Sequence, residues 1–158
     1  RFKLYEGKNS YTLVEAEIQN YFEKLRSDYE GACYGMYFAE GADYYTRENN
    51  DEREMMKLLY QSLRALCAES LPNQLVQCVF ECKAIAVSGE FPGPPADRQL
   101  EESTVYALQY IAASSIERLY TFVVSDSCLA ELRQVAKDYM KRFVGKEFKS
   151  LEVLQTLC

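Results

Sequence analysis

The chain has no histidine among its 158 residues, which removes the commonest general base and the commonest metal ligand together. Six cysteines are present, at positions 33, 67, 78, 82, 128 and 158, but no Cys-x-x-Cys pair. They are scattered among apolar residues and follow no disulfide-framework spacing. With no secretory signal at the start they read as reduced, mostly buried thiols of a cytosolic protein. No apolar run approaches the length of a bilayer, so no membrane association is expected. The first residue is Arg1 rather than a methionine, which suggests an expressed fragment or a processed product. There is no nucleophile elbow, no phosphate-cradling glycine loop and no paired-carboxylate pattern in a recognisable context. No catalytic residue, metal ligand or cofactor is assigned.

What is present is a globular composition, 48% hydrophobic, of a length that supports one domain or one domain plus a fragment of another. The net charge of −6 is unevenly spread. Residues 133–149 carry +4 by themselves, so the rest of the chain carries −10. An acidic body with one basic helix is unlike a general nucleic-acid binder, but it can set a local positive patch against an acidic partner.

Read in order, residues 2–6 and 11–18 are β-branched and aromatic-rich, and Gly7-Lys8-Asn9-Ser10 between them is a turn cluster. This predicts a hairpin, although Val14–Leu25 also permits helix. From Tyr21 to about Arg47 the pattern is helical with a break near Gly31, and Gly31, Gly35 and Gly41 are spaced for close helix packing. Tyr29, Ala32, Cys33, Met36, Tyr37, Ala39 and Tyr44 supply its apolar positions. After the polar break at 48–52, with Asn50 or Asp51 as N-cap, a helix runs to about Glu69. Pro72 opens the next, which ends at Gly89. Phe91-Pro92-Gly93-Pro94-Pro95 interrupts the chain, and helix resumes from Gln99 to Ala113.

The last third has the most interpretable segment. Ser125, Asp126 and Ser127 offer caps; Leu129, Leu132, Ala136, Tyr139, Met140 and Phe143 form one stripe; Gly145 suits a left-handed C-cap. Ser150 then opens a short helix carrying Leu151, Val153, Leu154 and Leu157. Helix after helix with short connections gives a mainly α, compact orthogonal bundle.

The order helix, elbow (residues 116–133), long amphipathic helix and terminal helix, with Phe148-Lys149-Ser150-Leu151 after a Gly-ended helix, resembles the C-terminal helical domain of the RecO family of bacterial recombination mediators. The order of segments upstream resembles it too. The resemblance implies that residues 1–20 are remnant strands of a truncated N-terminal OB-fold and that 21–158 form the helical domain. Two strands cannot close such a barrel, so DNA binding typical of that fold is expected to be absent or crippled. The four-cysteine zinc module of many members is replaced here by the Pro-rich connector 91–98. Cys78 and Cys82 lie one helical turn apart without a second pair, and read as two buried thiols.

The resemblance further implies non-enzymatic work in DNA repair, in the RecFOR pathway. The partners would be RecR and the acidic C-terminal tail of single-stranded DNA-binding protein, in support of RecA loading, in the bacterial cytoplasm and at the nucleoid during repair. Family members tend to carry arginines on the helix matching Leu75–Ile85, which helps receive that tail. Here Lys83 is its only cation, and Arg64 on the preceding helix is the candidate substitute. An acidic tail ending in an apolar residue needs a greasy groove beside positive charge. The candidates are Arg64, Leu75, Val79, Phe80 and Lys83, though the three apolar residues fit a core equally well. Arg133, Lys137 and Lys141 line one helix face, and Arg142, Lys146 and Lys149 continue the charge. They form a candidate patch for weak DNA contact or an acidic partner, or else a solvated face whose cations favour the helix dipole. A helical protein-interaction module unrelated to repair fits the same composition and periodicity.

Overall fold

The computed structural model describes residues 1–157; Cys158 and the side chains of Gln155 and Leu157 lie outside it. The chain is mainly α, with a two-stranded antiparallel hairpin at the N-terminal end. Strand β1 (Phe2–Glu6) pairs with β2 (Tyr11–Ala16), Leu4 opposite Leu13 and Tyr5 opposite Thr12. The turn closes through Gly7 N–H donating to the Ser10 carbonyl at 2.8 Å. A register irregularity falls between Lys3 and Leu4. Every residue of both strands is exposed, including Phe2 at 69% and Leu13 at 59%.

The helices that follow are α1 (Glu23–Ser27), α2 (Tyr29–Tyr45), α3 (Arg53–Leu66), α4 (Asn73–Val87) and α5 (Glu102–Ala113). A 3-10 turn at Ile116–Arg118, α6 (Asp126–Phe143) and α7 (Lys149–Leu157) complete the chain. The break expected near Gly31 falls at Asp28, whose carboxylate accepts the Gly31 N–H at 2.9 Å and starts α2. A Cβ on residue 31 would sit 2.5 Å from that carboxylate, so the glycine belongs to the cap. Gly41 meets the Phe80 ring and Gly35 meets Leu63, the close approaches expected of small residues.

Helix α4 is the centre of the bundle, packed by α2, α3, α5 and α6. From Cys78 to Ile85 every residue is buried, Glu81 and Lys83 included, as in a helix enclosed by its neighbours. Phe38 of α2 stacks on Phe80 with ring centroids 4.5 Å apart. The apolar side of α2 differs from its sequence reading. Tyr29, Met36 and Ala39 face out, whereas Tyr34, Phe38, Gly41 and Ala42 join Cys33 and Tyr37 inside.

Helix ends also shift. Asp51 accepts from the Arg53 N–H but the capping position is Glu52, and α3 stops at Leu66. Pro72 is the cap of α4 rather than its first residue, and α5 starts at Glu102. Ser125 caps α6 through the Cys128 N–H, as its side-chain oxygen suggests. Gly145 is not a left-handed cap: α6 ends at Phe143 with Val144 as an extended C-cap, and the Gly145 N–H donates to the Tyr44 hydroxyl at 3.2 Å. The positive φ values fall at Gly89 and Gly93, in the turn that leaves α4 and in the connector, and at the non-glycine residues Phe22 and Asn49.

The connector is strapped to α6. The Tyr139 hydroxyl donates to the Gly93 carbonyl, Arg98 pairs with Asp138 at 2.7 Å, and the Glu101 N–H donates to Glu131 at 3.0 Å.

Candidate functional site

The five residues expected to form a peptide pocket do not meet at one surface. Leu75, Val79 and Phe80 are at most 2% exposed and belong to the core of α4. Their burial follows from the position of α4, which has neighbours on every side and no free face for a groove. Lys83 is 7% exposed, and its Nζ donates to the carbonyls of Ala112 at 2.9 Å and Ser114 at 2.7 Å. Those carbonyls lie at the end of α5, where intrahelical donors run out, so Lys83 caps a helix C-terminus. Desolvation holds its ammonium below the usual lysine value.

Arg64 is placed differently. It is exposed on α3, with its guanidinium 6.0 Å from the Tyr60 ring and Nη1 donating to Gln61 at 3.3 Å. It lines a cleft of about 220 Å³ with Gln61, Ala65, Ala68, Leu71, Glu117, Tyr120 and Thr121. Its lining mixes the apolar side chains of Ala65, Ala68 and Leu71 with polar ones, and Arg64 and Glu117 bring opposite charges to it. Leu75, Val79, Phe80 and Lys83 are not among its lining residues. The sequence held a partial signal for this cleft in the half-apolar Ala65-x-x-Ala68-x-x-Leu71 run beyond Arg64, ending at the turn into α4. Tyr120 follows the 3-10 turn that packs on α3, 58 residues from Ser62, whose hydroxyl it bonds, and no sequence spacing announces it.

Of the six basic candidates, Arg133, Lys137, Lys141 and Arg142 lie exposed on α6 or partly so, and none has an ion-pair partner among the described residues. Asp138 sits within the row but is taken by Arg98, which leaves the row its positive character. Lys146 meets Glu40 with its side chain, whereas Lys149 does so only with its backbone and keeps its side chain exposed. Lys146 Nζ lies 3.7 Å from Glu40 and 5.9 Å from the Phe148 ring centroid, and the Lys149 N–H donates to Glu40 at 3.3 Å.

The stretch from Phe148 to Leu151 is a docking device. Phe148 is buried with its ring edge-on to Tyr37 and Tyr44 of α2. Glu40, one turn along α2, accepts from the Ser150 N–H at 3.0 Å and from its hydroxyl at 2.5 Å. These donors hold the Glu40 carboxyl below the ordinary glutamate value. Glu40 therefore caps α7 from another helix, a role the sequence reading missed because the two lie 110 residues apart.

Among the described residues, no group of three or more His, Cys, Asp or Glu is placed to hold a metal ion. Cys78 and Cys82 are both buried on α4. No described helix is long and apolar enough to cross a membrane.

Fold and surface together define a helical domain with a strand hairpin at its N-terminal end, presenting a cleft beside Arg64 and a basic helix face. Residues 26–93 match the family model described as recombination protein O C terminal. A relative named DNA repair protein RecO from Acetivibrio thermocellus is 25% identical over 189 residues, covering 99% of this chain and 75% of its own. The protein of the same name from Clostridium novyi is 23% identical over 186 residues, covering 99% and 73%. That from Moorella thermoacetica is 33% identical over 92 residues, covering 58% and 34%. Over these spans the chain is similar to the recombination protein O family. No solved structure matches it.

Proposed function

We propose that this chain serves DNA repair and recombination by binding, and that it docks the acidic C-terminal tail of single-stranded DNA-binding protein in the cleft walled by Arg64. The single observation that carries the reading is that cleft, where Arg64 stands with Ala65, Ala68 and Leu71 on a chain whose relatives are named DNA repair protein RecO. An acidic tail with an apolar last residue sets carboxylates against Arg64 and its end against Ala65, Ala68 and Leu71. Glu117, also in the lining, limits how many carboxylates the cleft accepts.

The unpaired row Arg133, Lys137, Lys141 and Arg142 is assigned to a second acidic partner, DNA phosphates in the first instance. RecR is the other protein partner of this reading, which ends in RecA loading in the cytoplasm of a bacterium. No bond is made or broken in such work. Residues 1–20 are read as strands of a larger OB-type sheet, because a hairpin exposed on both faces is marginal alone.

Fluorescence anisotropy with a labelled tail peptide tests the cleft. Saturable binding that weakens with salt and falls at least tenfold in Arg64→Glu supports it. Binding unaffected by Arg64→Glu, or none at high protein concentration, overturns it and favours an interaction module that ignores this peptide. Lys83→Glu is a poor probe, since it puts a carboxylate against two helix-end carbonyls.

A further inference from the structure

Two carboxyl groups in opposite surroundings are connected through α2, and one of them holds the terminal helix. Glu40 faces only donors and a cation: the Ser150 N–H and hydroxyl, the Lys149 N–H and Lys146 Nζ. That set favours a carboxylate. Glu81 of α4 is set among neutral donors. It is 5% exposed, has no ion-pair partner among the described residues, and accepts from the Tyr37 hydroxyl at 2.6 Å and the Gln77 amide at 2.8 Å. The other titratable groups acting around it are Tyr45 of α2 and Cys78 and Cys82 of α4, with Glu90 bearing on Tyr45. Arg133 of α6 acts on Cys78. Burial pushes the Glu81 carboxyl up, against the smaller opposing pull of its two hydrogen bonds.

Tyr37 connects the two sites. Its hydroxyl is on Glu81, and its ring meets Phe148 edge-on at 5.8 Å, the residue that leads into α7. Glu40, three residues further along the same helix, holds the first turn of α7. Helix α7 packs on α2.

We propose that the seat of α7 on α2 is a proton-gated latch, closed while Glu81 is a neutral acid and Glu40 a carboxylate, and opened when Glu81 ionises. A charge on Glu81 has no ion-pair partner among the described residues, and the seam relaxes by admitting water at Tyr37. The Phe148 seat on that ring is lost with it. The sign follows from linkage. A carboxyl raised in the closed state stabilises closure fully below its ordinary value, and that stabilisation is lost as pH rises through the raised one. Glu40 works the other way, and its hold is lost as pH falls through its depressed value.

The test is hydrogen exchange on the intact chain over a pH series, corrected for intrinsic rates, comparing amides of α7 with those of α6. Between the ordinary and the raised Glu81 values, a one-proton latch makes α7 opening grow about tenfold per pH unit while α6 stays protected. Glu81→Gln, neutral at every pH, flattens that dependence. The chain has no tryptophan, so Tyr44→Trp beside Phe148 gives a second readout, an emission shift with pH in a chain that keeps Glu81. Protection of α7 that is flat with pH, that varies equally in Glu81→Gln, or that moves in step with α6 overturns the latch.

Discussion

Ser150 gives Glu40 both its backbone N–H and its hydroxyl, across 110 residues of sequence. A side chain on α2 thereby does for α7 what an N-cap residue does within a chain, and adds a negative charge at the positive end of the helix. The phenylalanine two residues earlier fills the seat between Tyr37 and Tyr44.

Removing either half of this seat has a defined cost. Glu40→Ala is expected to destabilise the fold by about 1–2 kcal/mol, the range of lost helix caps. Glu40→Gln keeps acceptors but loses charge, and falls between. Phe148→Ala is expected to cost about 3–5 kcal/mol, as for other buried phenylalanines. Urea denaturation at constant m-value measures all three. The Glu40 contribution has a pH signature: its carboxyl is depressed, so the stabilisation is present above the ordinary glutamate value and lost as pH falls through the lowered one. A Glu40→Ala difference that persists unchanged in strong acid removes the cap from the account.

Lys83 makes a contrasting prediction. Lys83→Met keeps the stem packed but leaves the Ala112 and Ser114 carbonyls without their donor, an expected loss of about 1–3 kcal/mol for unsatisfied buried groups. The peptide affinity of the Arg64 cleft should be unchanged in that variant. If Lys83→Met binds the tail peptide tenfold more weakly while its denaturation midpoint is unmoved, Lys83 is a binding residue and its cap role is secondary.

The residues show how far a sequence carries. Ser125 announced its helix because the cap and its N–H are three residues apart, and local periodicity gave the helices themselves. The face of α2 was misjudged because its glycines, alanines and tyrosines make a weak pattern, and packing against α3, α4 and α7 decides which side is buried. Leu75, Val79 and Phe80 posed a different problem. An apolar residue next to a cation reads alike in a groove and in a core, and only the neighbours of α4 tell them apart. Glu40 and Tyr120 lie beyond any local signal, since each acts on a residue brought near by the fold.

The basic row on α6 predicts salt dependence rather than sequence preference. Replacing Lys137 and Lys141 by Glu should weaken binding of a thymidine oligonucleotide at least tenfold at low salt. Loss of two phosphate contacts should flatten the slope of log K against log salt by about 1.4 for a single strand. Both side chains are exposed on α6, so thermal stability should hold within about 0.5 kcal/mol, as for ordinary surface changes. An unchanged slope means that the row contacts no phosphates, and its cations then serve the C-terminal end of α6 alone.

The hairpin makes the last prediction. Strands β1 and β2 pack on one another and bury nothing on the bundle; their residues are exposed on both faces. The link to the helices runs through Asn20, whose side chain accepts the Phe22 N–H at 2.9 Å, and through Phe22, whose ring meets Tyr60 edge-on. Burial stabilises in proportion to apolar area removed from water, and here that area is small. Deleting residues 1–20 should therefore cost less than about 1 kcal/mol, a shift of under about 4 °C in the melting midpoint. The hairpin amides should exchange far faster than those of α4, because a two-stranded ribbon alone is marginal. A large drop in midpoint on deletion would mean that Phe2, Leu4 and Leu13 are covered in solution, and that their exposure here describes a surface waiting for its remaining strands.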